Sequence, residues 1–291
     1  MTNNPKNKFK DYLSLTKLKI MIPVSLTGFT GYFVFDPHLS VRILLITTGI
    51  LLLAISASVL NQIQEVKTDG IMERTRYRSL PGNRIKVQNA AIFFLIIFIT
   101  GLIITFYAGN IKAVIIGLIT IIWYNGVYTY CKRITAFAVV PGAITGALPP
   151  LIGWVAAGGG VWDKPVIFIG FLIFTAQIPH FWLLLLKYGS EYKKAGFPTL
   201  FDIFSRRQIY RLTFSWILGS VISALFLCYF GIIQNQLIIG ILLVASIYIV
   251  WQFFDLLKTE PEMYNYRRYS IFLDSYLLLV LVLLISDRII M

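Results

Sequence analysis

Nine long apolar runs follow one another along this 291-residue chain, separated by short polar segments. They lie near Ile20–Phe35, Ile43–Leu60, Asn89–Tyr107, Ala113–Tyr128, Phe137–Ala157, Val166–Leu186, Ile209–Phe230, Gln236–Leu257 and Ser270–Ile285. A helix needs about 20 mostly apolar residues to span a bilayer. Lipid offers no water to unpaired backbone groups, so only helices and closed barrels cross it, and these runs do not alternate as barrel strands do. The expected fold class is therefore all-α: a polytopic membrane protein built as a nine-transmembrane-helix bundle. With 57% hydrophobic and 13% charged residues, almost nothing is left over for a soluble domain. A disordered or collagen-like chain is excluded on the same ground. Cys131 and Cys228 are too few for a disulfide framework and lack metal-site spacing.

The chain carries 26 Lys and Arg against 13 Asp and Glu, a formal net charge of +13. If residues 1–19 form a cytoplasmic N-terminal segment, 22 of the 26 basic residues fall on the cytoplasmic side. Only Arg42, Lys112, Lys164 and Arg288 fall on the other. That asymmetry is a strong positive-inside signal, and it supports nine spans, because one missed span would scramble the alternation. It predicts a multi-pass protein of the cell inner (cytoplasmic) membrane and accounts for the basic excess without nucleic acid. The opening lysines and Asp11, without arginine or a small-residue cleavage site, do not read as a cleaved signal.

Two inner loops, about Asn61–Gln88 and Lys187–Gln208, are longer than a connection requires. In the first, Asn61, Glu65 and Asp69 are spaced i, i+4, i+8 and continue the second span as one polar stripe. An amide and two carboxylates are hard oxygen ligands of the kind Mg²⁺ takes alongside substrate phosphates. Arg74, Arg76 and Arg78 follow at once, and guanidinium groups suit bidentate phosphate contacts. The bland alternative is a solvated helix end with balanced charges. Register with a spanning helix and the adjoining arginines favour a metal-assisted diphosphate site, because ionisable groups at membrane depth are usually functional.

The stretch Asn61…Glu65…Asp69…Met72-Glu-Arg74-Thr75…Arg78…Leu80-Pro81 resembles the first acidic motif of the UbiA-type intramembrane prenyltransferase superfamily. In detail it is most similar to the protohaem IX farnesyltransferase (haem O synthase) branch. Further segments agree in order: Asp11–Lys17, Tyr128–Thr135 with Lys132 and Arg133, Gly146–Trp154, Pro179-His180-Phe181-Trp182 and Glu191–Gly196. Departures occur at Leu18, Val66, Ala138, Ile178, Glu191 and the run after Pro198, where Thr199-Leu-Phe-Asp202 replaces the usual sequence. They bear on the acceptor more than on the diphosphate site.

The resemblance implies a single membrane-embedded prenyltransferase domain over residues 1–291. It implies farnesyl diphosphate as donor, haem b as acceptor and Mg²⁺ as cofactor. It also implies possible association with haem A synthase or terminal oxidase assembly. A quinone precursor or other aromatic acceptor is the alternative. Asn61, Glu65 and Asp69 would be catalytic and metal-binding. Glu191 would add a metal ligand, or else pair with Lys187 at i, i+4. Arg74, Arg78, Lys132, Arg133, His180, Lys187 and Tyr128 would bind substrate. His180 would ligate haem iron or orient the porphyrin, or else serve as a hydrogen-bonded structural residue. Asp202 lies further along as a possible substitute ligand. Trp123, Trp154 and Trp182 are expected as interface anchors, Pro149-Pro150 as a kink beside the cavity, and Asp255 and Asp274 as interfacial ion pairs without chemistry. A transporter would place its sites near the midplane within repeats, which this chain lacks. A haem-binding assembly factor would not need the acidic stripe.

Overall fold

The computed structural model describes the backbone of residues 5–258 and 266–291 and the side chains from Lys8 onward. Residues 1–4 of the expected N-terminal segment and 259–265 before the last span lie outside the described residues. A surface helix α1 (Pro5–Thr16) leads into α2 (Leu18–Phe35) and α3 (Val41–Gln64), followed by a short α4 (Val66–Ile71). Next come α5 (Val87–Ala108) and α6 (Ile111–Ile122), which runs through a π-helical turn (Trp123–Tyr128) into α7 (Thr129–Cys131). Then follow α8 (Val139–Ala157), α9 (Lys164–Lys194), α10 (Arg206–Tyr229), α11 (Gln236–Phe253) and α12 (Tyr266–Ile290). Among the described residues, nine helical segments are long and apolar enough to cross a membrane, at the places the apolar runs predict. Local chemistry starts several of them. Asn110 and Asn235 accept the first free N–H groups of α6 and α11, and a Ser205/Gln208 capping box starts α10.

Two helices differ from their expected extent or shape. α9 continues through Lys187 to Lys194, so Glu191 stands on a helix and not on a loop. Hydropathy falls off before the helix ends, because its last turns emerge from the apolar region. Pro149 and Pro150 do not interrupt α8. Their carbonyls lie against α2, where a Cβ on Gly31 would come within 2.0 Å of the Pro150 oxygen. Close backbone approach through small residues is how helices pack without a hydrophobic driving force.

The tryptophans are not the interface anchors expected. Trp154 and Trp182 are buried, and Trp123 donates its indole N–H to the Pro141 carbonyl at 2.8 Å. Trp154 can be buried because Asp163 accepts its N–H at 2.8 Å. The sparse cations of the other end are structural too. Arg42 donates to the Ala108 carbonyl at 2.7 Å and to Ala156 at 3.0 Å, tying the ends of α5 and α8.

Helix α2 packs against α3, α8 and α12, while α9 packs against α8, α10 and α12. The last helix thus closes the bundle beside the first span. A cavity of about 280 Å³ lies between α2, α3, α6, α8 and α9. Along α3 its lining runs from Ser58 down to Ile50, about 12 Å of helix at 1.5 Å per residue. Lys17 and Tyr124 line it toward the end that carries α1 and the basic loops, hereafter the basic end.

Candidate active site

Helix α3 carries the acidic stripe out of the apolar region. Its hydrogen bonding passes through Glu65 into α4: the Glu65 N–H donates to the Asn61 carbonyl at 3.0 Å, and Asp69 N–H to Glu65 at 2.8 Å. The expected i, i+4, i+8 stripe is therefore kept, although Glu65 itself adopts a non-helical φ/ψ and separates two helices. All three side chains are buried: Asn61 is 4% exposed, Glu65 7% and Asp69 3%. Two carboxylates at this depth require partners.

Those partners are the predicted cations. Arg78 donates from Nη1 to Asp69 Oδ2 at 2.7 Å. Lys132 lies in ion contact with Glu65 Oε1. The Asn61 amide donates to Thr129 Oγ1 at 3.1 Å, and the Thr129 hydroxyl donates to the Tyr124 carbonyl. This fixes the amide by its nitrogen and leaves its oxygen as an acceptor. The π-helical turn makes this possible by carrying Asn125 toward α3, where it donates to the Ala57 carbonyl and to Gln64 Oε1, each at 3.1 Å.

Tyr124 and Tyr128 stack on this turn, 5.5 Å between centroids, and Tyr128 faces Phe181 of α9 at 6.3 Å. Lys132 Nζ lies 5.2 Å above the Tyr128 ring. Burial pushes the Lys132 ammonium below its ordinary value, with Glu65 pulling the other way.

Lys17 was legible only as an orientation charge and as part of a family opening, yet it belongs to this site. It adopts left-handed backbone (φ 47, ψ 43) between α1 and α2, a conformation unusual for a residue with a Cβ. Its carbonyl accepts from Ile20 and Met21 and so begins α2, while its side chain lines the cavity. Burial, aided by Arg78, brings its ammonium down to about 8 against the pull of Asp69.

The second inner segment docks on the first. Glu191 Oε2 accepts the backbone N–H of Arg74 at 3.0 Å, which corrects the expected pairing with Lys187. A lysine one turn away on the same exposed helix face gains little from a carboxylate in water, whereas the N–H fixes a tertiary contact. Lys187 instead lies over the Tyr188 ring at 4.9 Å. The same ring carries the Arg74 guanidinium at 4.9 Å, so Arg74 sits at the junction of the two segments. Arg76 turns to its neighbour Tyr77 and away from the site. Arg133 is exposed and donates to the Gln64 carbonyl, closing the end of α3. Asp202 accepts from Thr199 N–H and hydroxyl, each at 2.9 Å, and from Lys193 at 2.6 Å. Its acceptors are thus engaged in a local cap.

His180 and Asp274 form a pair, Nδ1 to Oδ1 at 2.9 Å, between α9 and α12. Asp274, expected in an interfacial ion pair, has His180 as its partner. Asp255 does pair as expected, with Lys258 at 2.9 Å.

No group of three or more His, Cys, Asp and Glu side chains gathers into a metal cage among the described residues. The donor set here is smaller: the amide oxygen of Asn61 and the buried carboxylates of Glu65 and Asp69, each neutralised by one cation. It fits Mg²⁺, which takes one or two carboxylates and completes its shell with water and substrate phosphate.

A model of the UbiA prenyltransferase family matches residues 22–275. The protoheme IX farnesyltransferase of Nitratidesulfovibrio vulgaris (strain DP4) is 28% identical over 279 residues, 96% of this chain and 95% of the relative. That of Geobacter sulfurreducens is 39% identical over 150 residues, 52% of this chain and 55% of the relative. The fold matches a structure described for digeranylgeranylglyceryl phosphate synthase, with a TM-score of 0.79 at 22% identity over 98% of this chain and 100% of the other. It also matches a UbiA homolog from Archaeoglobus fulgidus bound to GPP and Mg²⁺, with a TM-score of 0.68 at 16% identity over 94% and 99%.

Proposed function

The chain belongs to the UbiA prenyltransferase family and is a multi-pass membrane prenyltransferase, and we propose that it transfers a farnesyl group from farnesyl diphosphate to a vinyl group of haem b, giving haem O. The observation that carries the donor half is the pairing of two buried carboxylates with Arg78 and Lys132 at the basic end of a largely apolar cavity. The acceptor half is supported by relatives that carry the name protoheme IX farnesyltransferase.

Asn61, Glu65 and Asp69 would hold Mg²⁺, and Glu191 is the further candidate ligand from the second segment. When bound, the ion supplies positive charge that offsets the charge building on the diphosphate. Arg78 and Lys132, beside the carboxylates, would bind the diphosphate oxygens. Lys17 contributes a third cation from the cavity wall, and Arg74 a fourth from the junction. The cavity among α2, α3, α6, α8 and α9 takes the isoprenoid tail and keeps water from the allylic cation left by C–O cleavage. The π faces of Tyr124, Tyr128 and Phe181 stabilise that cation. The vinyl carbon of haem b attacks it. Water then adds to the resulting cation and loses a proton to the departing diphosphate, leaving a hydroxyethylfarnesyl group.

The concentration of basic residues at the end carrying α1 supports an N-terminus in the cytoplasm and insertion in the cytoplasmic membrane. The test is incubation of the purified protein with farnesyl diphosphate, haem b and Mg²⁺. The expected result is a Mg²⁺-dependent gain in acceptor mass, by one farnesyl group plus one hydroxyl group. Prenylation of an aromatic quinone precursor, with haem left unmodified, would reassign the acceptor and keep the donor site.

A further inference from the structure

We infer that Asp11 on α1 is a positioning residue for the diphosphate site: through Ser79 and Arg84 it fixes the backbone on either side of Arg78, and so sets where that guanidinium points. The inference rests on the reading of Arg78 as a diphosphate contact. It begins with a helix that is too short, at 12 residues, to span a membrane. Even so, α1 is firmly docked. Leu15 is fully buried in an apolar cluster with Ile55 and Val59 of α3, Ala90 of α5, and Leu80 and Ile85 of the first inner segment. Tyr12 meets Phe93 of α5 edge-on, 5.2 Å between centroids. The buried Gln62 amide, one residue past Asn61, donates to the Leu15 carbonyl at 2.8 Å. α1 is thus fastened to the helix that carries the acidic stripe, and it leads directly into Lys17.

The polar side of α1 holds the segment that carries Arg78. Asp11 Oδ1 accepts from Arg84 Nε at 2.7 Å and from the Ser79 hydroxyl at 3.0 Å. The Ser14 hydroxyl stands 2.7 Å from that of Ser79, which is fully buried and must find its partners within the protein. From its other side the Arg84 guanidinium donates Nη2–H to the Tyr77 carbonyl at 2.8 Å. Residues 77 and 79 are therefore both tied to the Asp11–Arg84 pair, with Arg78 between them. The Arg78 carbonyl accepts the Gly82 N–H at 2.9 Å, and the Ser79 carbonyl accepts those of Arg84 and Ile85 at 2.9 and 3.1 Å. From this fixed frame the Arg78 side chain reaches Asp69.

The frame matters because residues 72–86, between α4 and α5, run as consecutive turns and not as a helix. Such a segment has no continuous hydrogen-bond ladder to fix its course. An arginine on a loose backbone must be ordered when it binds an anion, and that ordering subtracts from affinity. Asp11 removes part of the cost in advance. A partly exposed ion pair such as Asp11–Arg84 adds little to the stability of the whole fold, so its effect falls mainly on the geometry of the segment it holds. The sign of the effect separates position from field. Taking a negative charge away from the neighbourhood of an anion site would by itself tighten binding. A positioning role predicts the reverse.

The experiment is a mutant cycle read by calorimetric titration of the purified full-length protein with farnesyl diphosphate and Mg²⁺, without haem. Asp11→Asn keeps the shape of the side chain and removes its charge. It should weaken binding about tenfold, the scale of one charge-assisted hydrogen bond. Arg84→Gln should act in the same direction, and Asp11→Glu, which retains the charge, should bind more tightly than Asp11→Asn. Arg78→Ala should weaken binding more than any of these. In the Arg78→Ala background, Asp11→Asn should add no more than about twofold, because changes that act through one group do not add. General damage to the fold would add in full in both backgrounds. Full additivity, or an affinity undiminished in Asp11→Asn, would therefore overturn the positioning role while leaving Arg78 at the diphosphate. Unaltered affinity in Arg78→Ala would instead overturn the reading of Arg78 on which the inference rests.

Discussion

The two polar segments at the basic end contain similar residues and use them in opposite ways. In the first, Glu65 and Asp69 are buried at the end of a spanning helix, and each faces a cation outside its own turn, Lys132 for Glu65 and Arg78 for Asp69. In the second, Asp202 lies at the surface and is satisfied by Thr199 and Lys193, three and nine residues away. Glu191 is intermediate: half-buried, and joined to the first segment through the Arg74 N–H. A carboxylate that is costly to bury and paired with a cation outside its own turn is available for exchange with a ligand. A carboxylate that closes its own turn is not.

The sharpest way to break this comparison is to remove an acid from the first segment. Asp69→Ala should lower turnover by about 10²- to 10³-fold, the scale of losing one main electrostatic contact to a charged transition state. Product formation measured by mass spectrometry checks this. A loss below tenfold would mean that the buried stripe is structural. Glu191→Ala should fall between the two extremes, raising KM for the diphosphate about tenfold with a smaller effect on kcat.

Removing a cation tests the same contrast from the other side. Lys132→Met leaves the Glu65 carboxylate buried without a counter-charge, at a cost on the order of 3 kcal/mol. The thermal midpoint in detergent should drop accordingly. Mg²⁺ should recover part of it by taking the place of the lost charge, while Mg²⁺ should have little effect on the midpoint of an Asp202 variant.

Much of this was legible in the sequence for a simple reason. Spanning helices are encoded by continuous apolar runs, and the Asn61–Glu65–Asp69 stripe by a spacing that survives the break at Glu65. Arg78 and Lys132 were legible as cations near the acids, but not as their one-to-one partners. What could not be read depends on contacts distant in sequence or on backbone detail. The His180–Asp274 pair joins residues 94 apart, and nothing in either local pattern names the other. Lys17 reaches the cavity only because its own backbone turns left-handed between two helices. The last turns of α9 carry Lys187–Lys194, whose polarity resembles a loop although their backbone is helical. Trp154 was misplaced because its burial depends on Asp163, nine residues on, which accepts the indole N–H.

Lys17 also gives the comparison a pH dependence. Its ammonium titrates at about 8, below its ordinary 10.5, so between those values the folded protein holds fewer protons than the unfolded chain. Folding stability should therefore rise with pH through that window. Affinity for the anionic diphosphate should do the reverse, falling about tenfold as pH passes 8 and the charge-assisted contact is lost. Lys17→Met should bind more weakly at neutral pH and flatten the affinity profile. Calorimetric titration with farnesyl diphosphate across pH 7 to 9 checks both statements, and a wild-type profile flat across that range would remove Lys17 from the site.

The smallest expected effect belongs to Asp202, and its sign distinguishes a cap from a ligand. The hydrogen bond from Lys193, followed by those from Thr199, holds its carboxyl down to about 2, against an ordinary 3.8. A carboxyl lowered in the folded state contributes stability that is fully present above about pH 4 and is lost as pH falls toward 2. Solvent screens this exposed pair, so the effect on the thermal midpoint should be slight. Asp202→Asn should remove the acid-side dependence, leave Mg²⁺-dependent turnover within twofold of wild type and leave the Mg²⁺ requirement unaltered. A raised Mg²⁺ requirement in this variant would move Asp202 from the local cap into the metal site and dissolve the distinction between the two segments. The capping box argues against that result, because Thr199 and Lys193 already take three of the roughly four acceptor sites on the carboxylate.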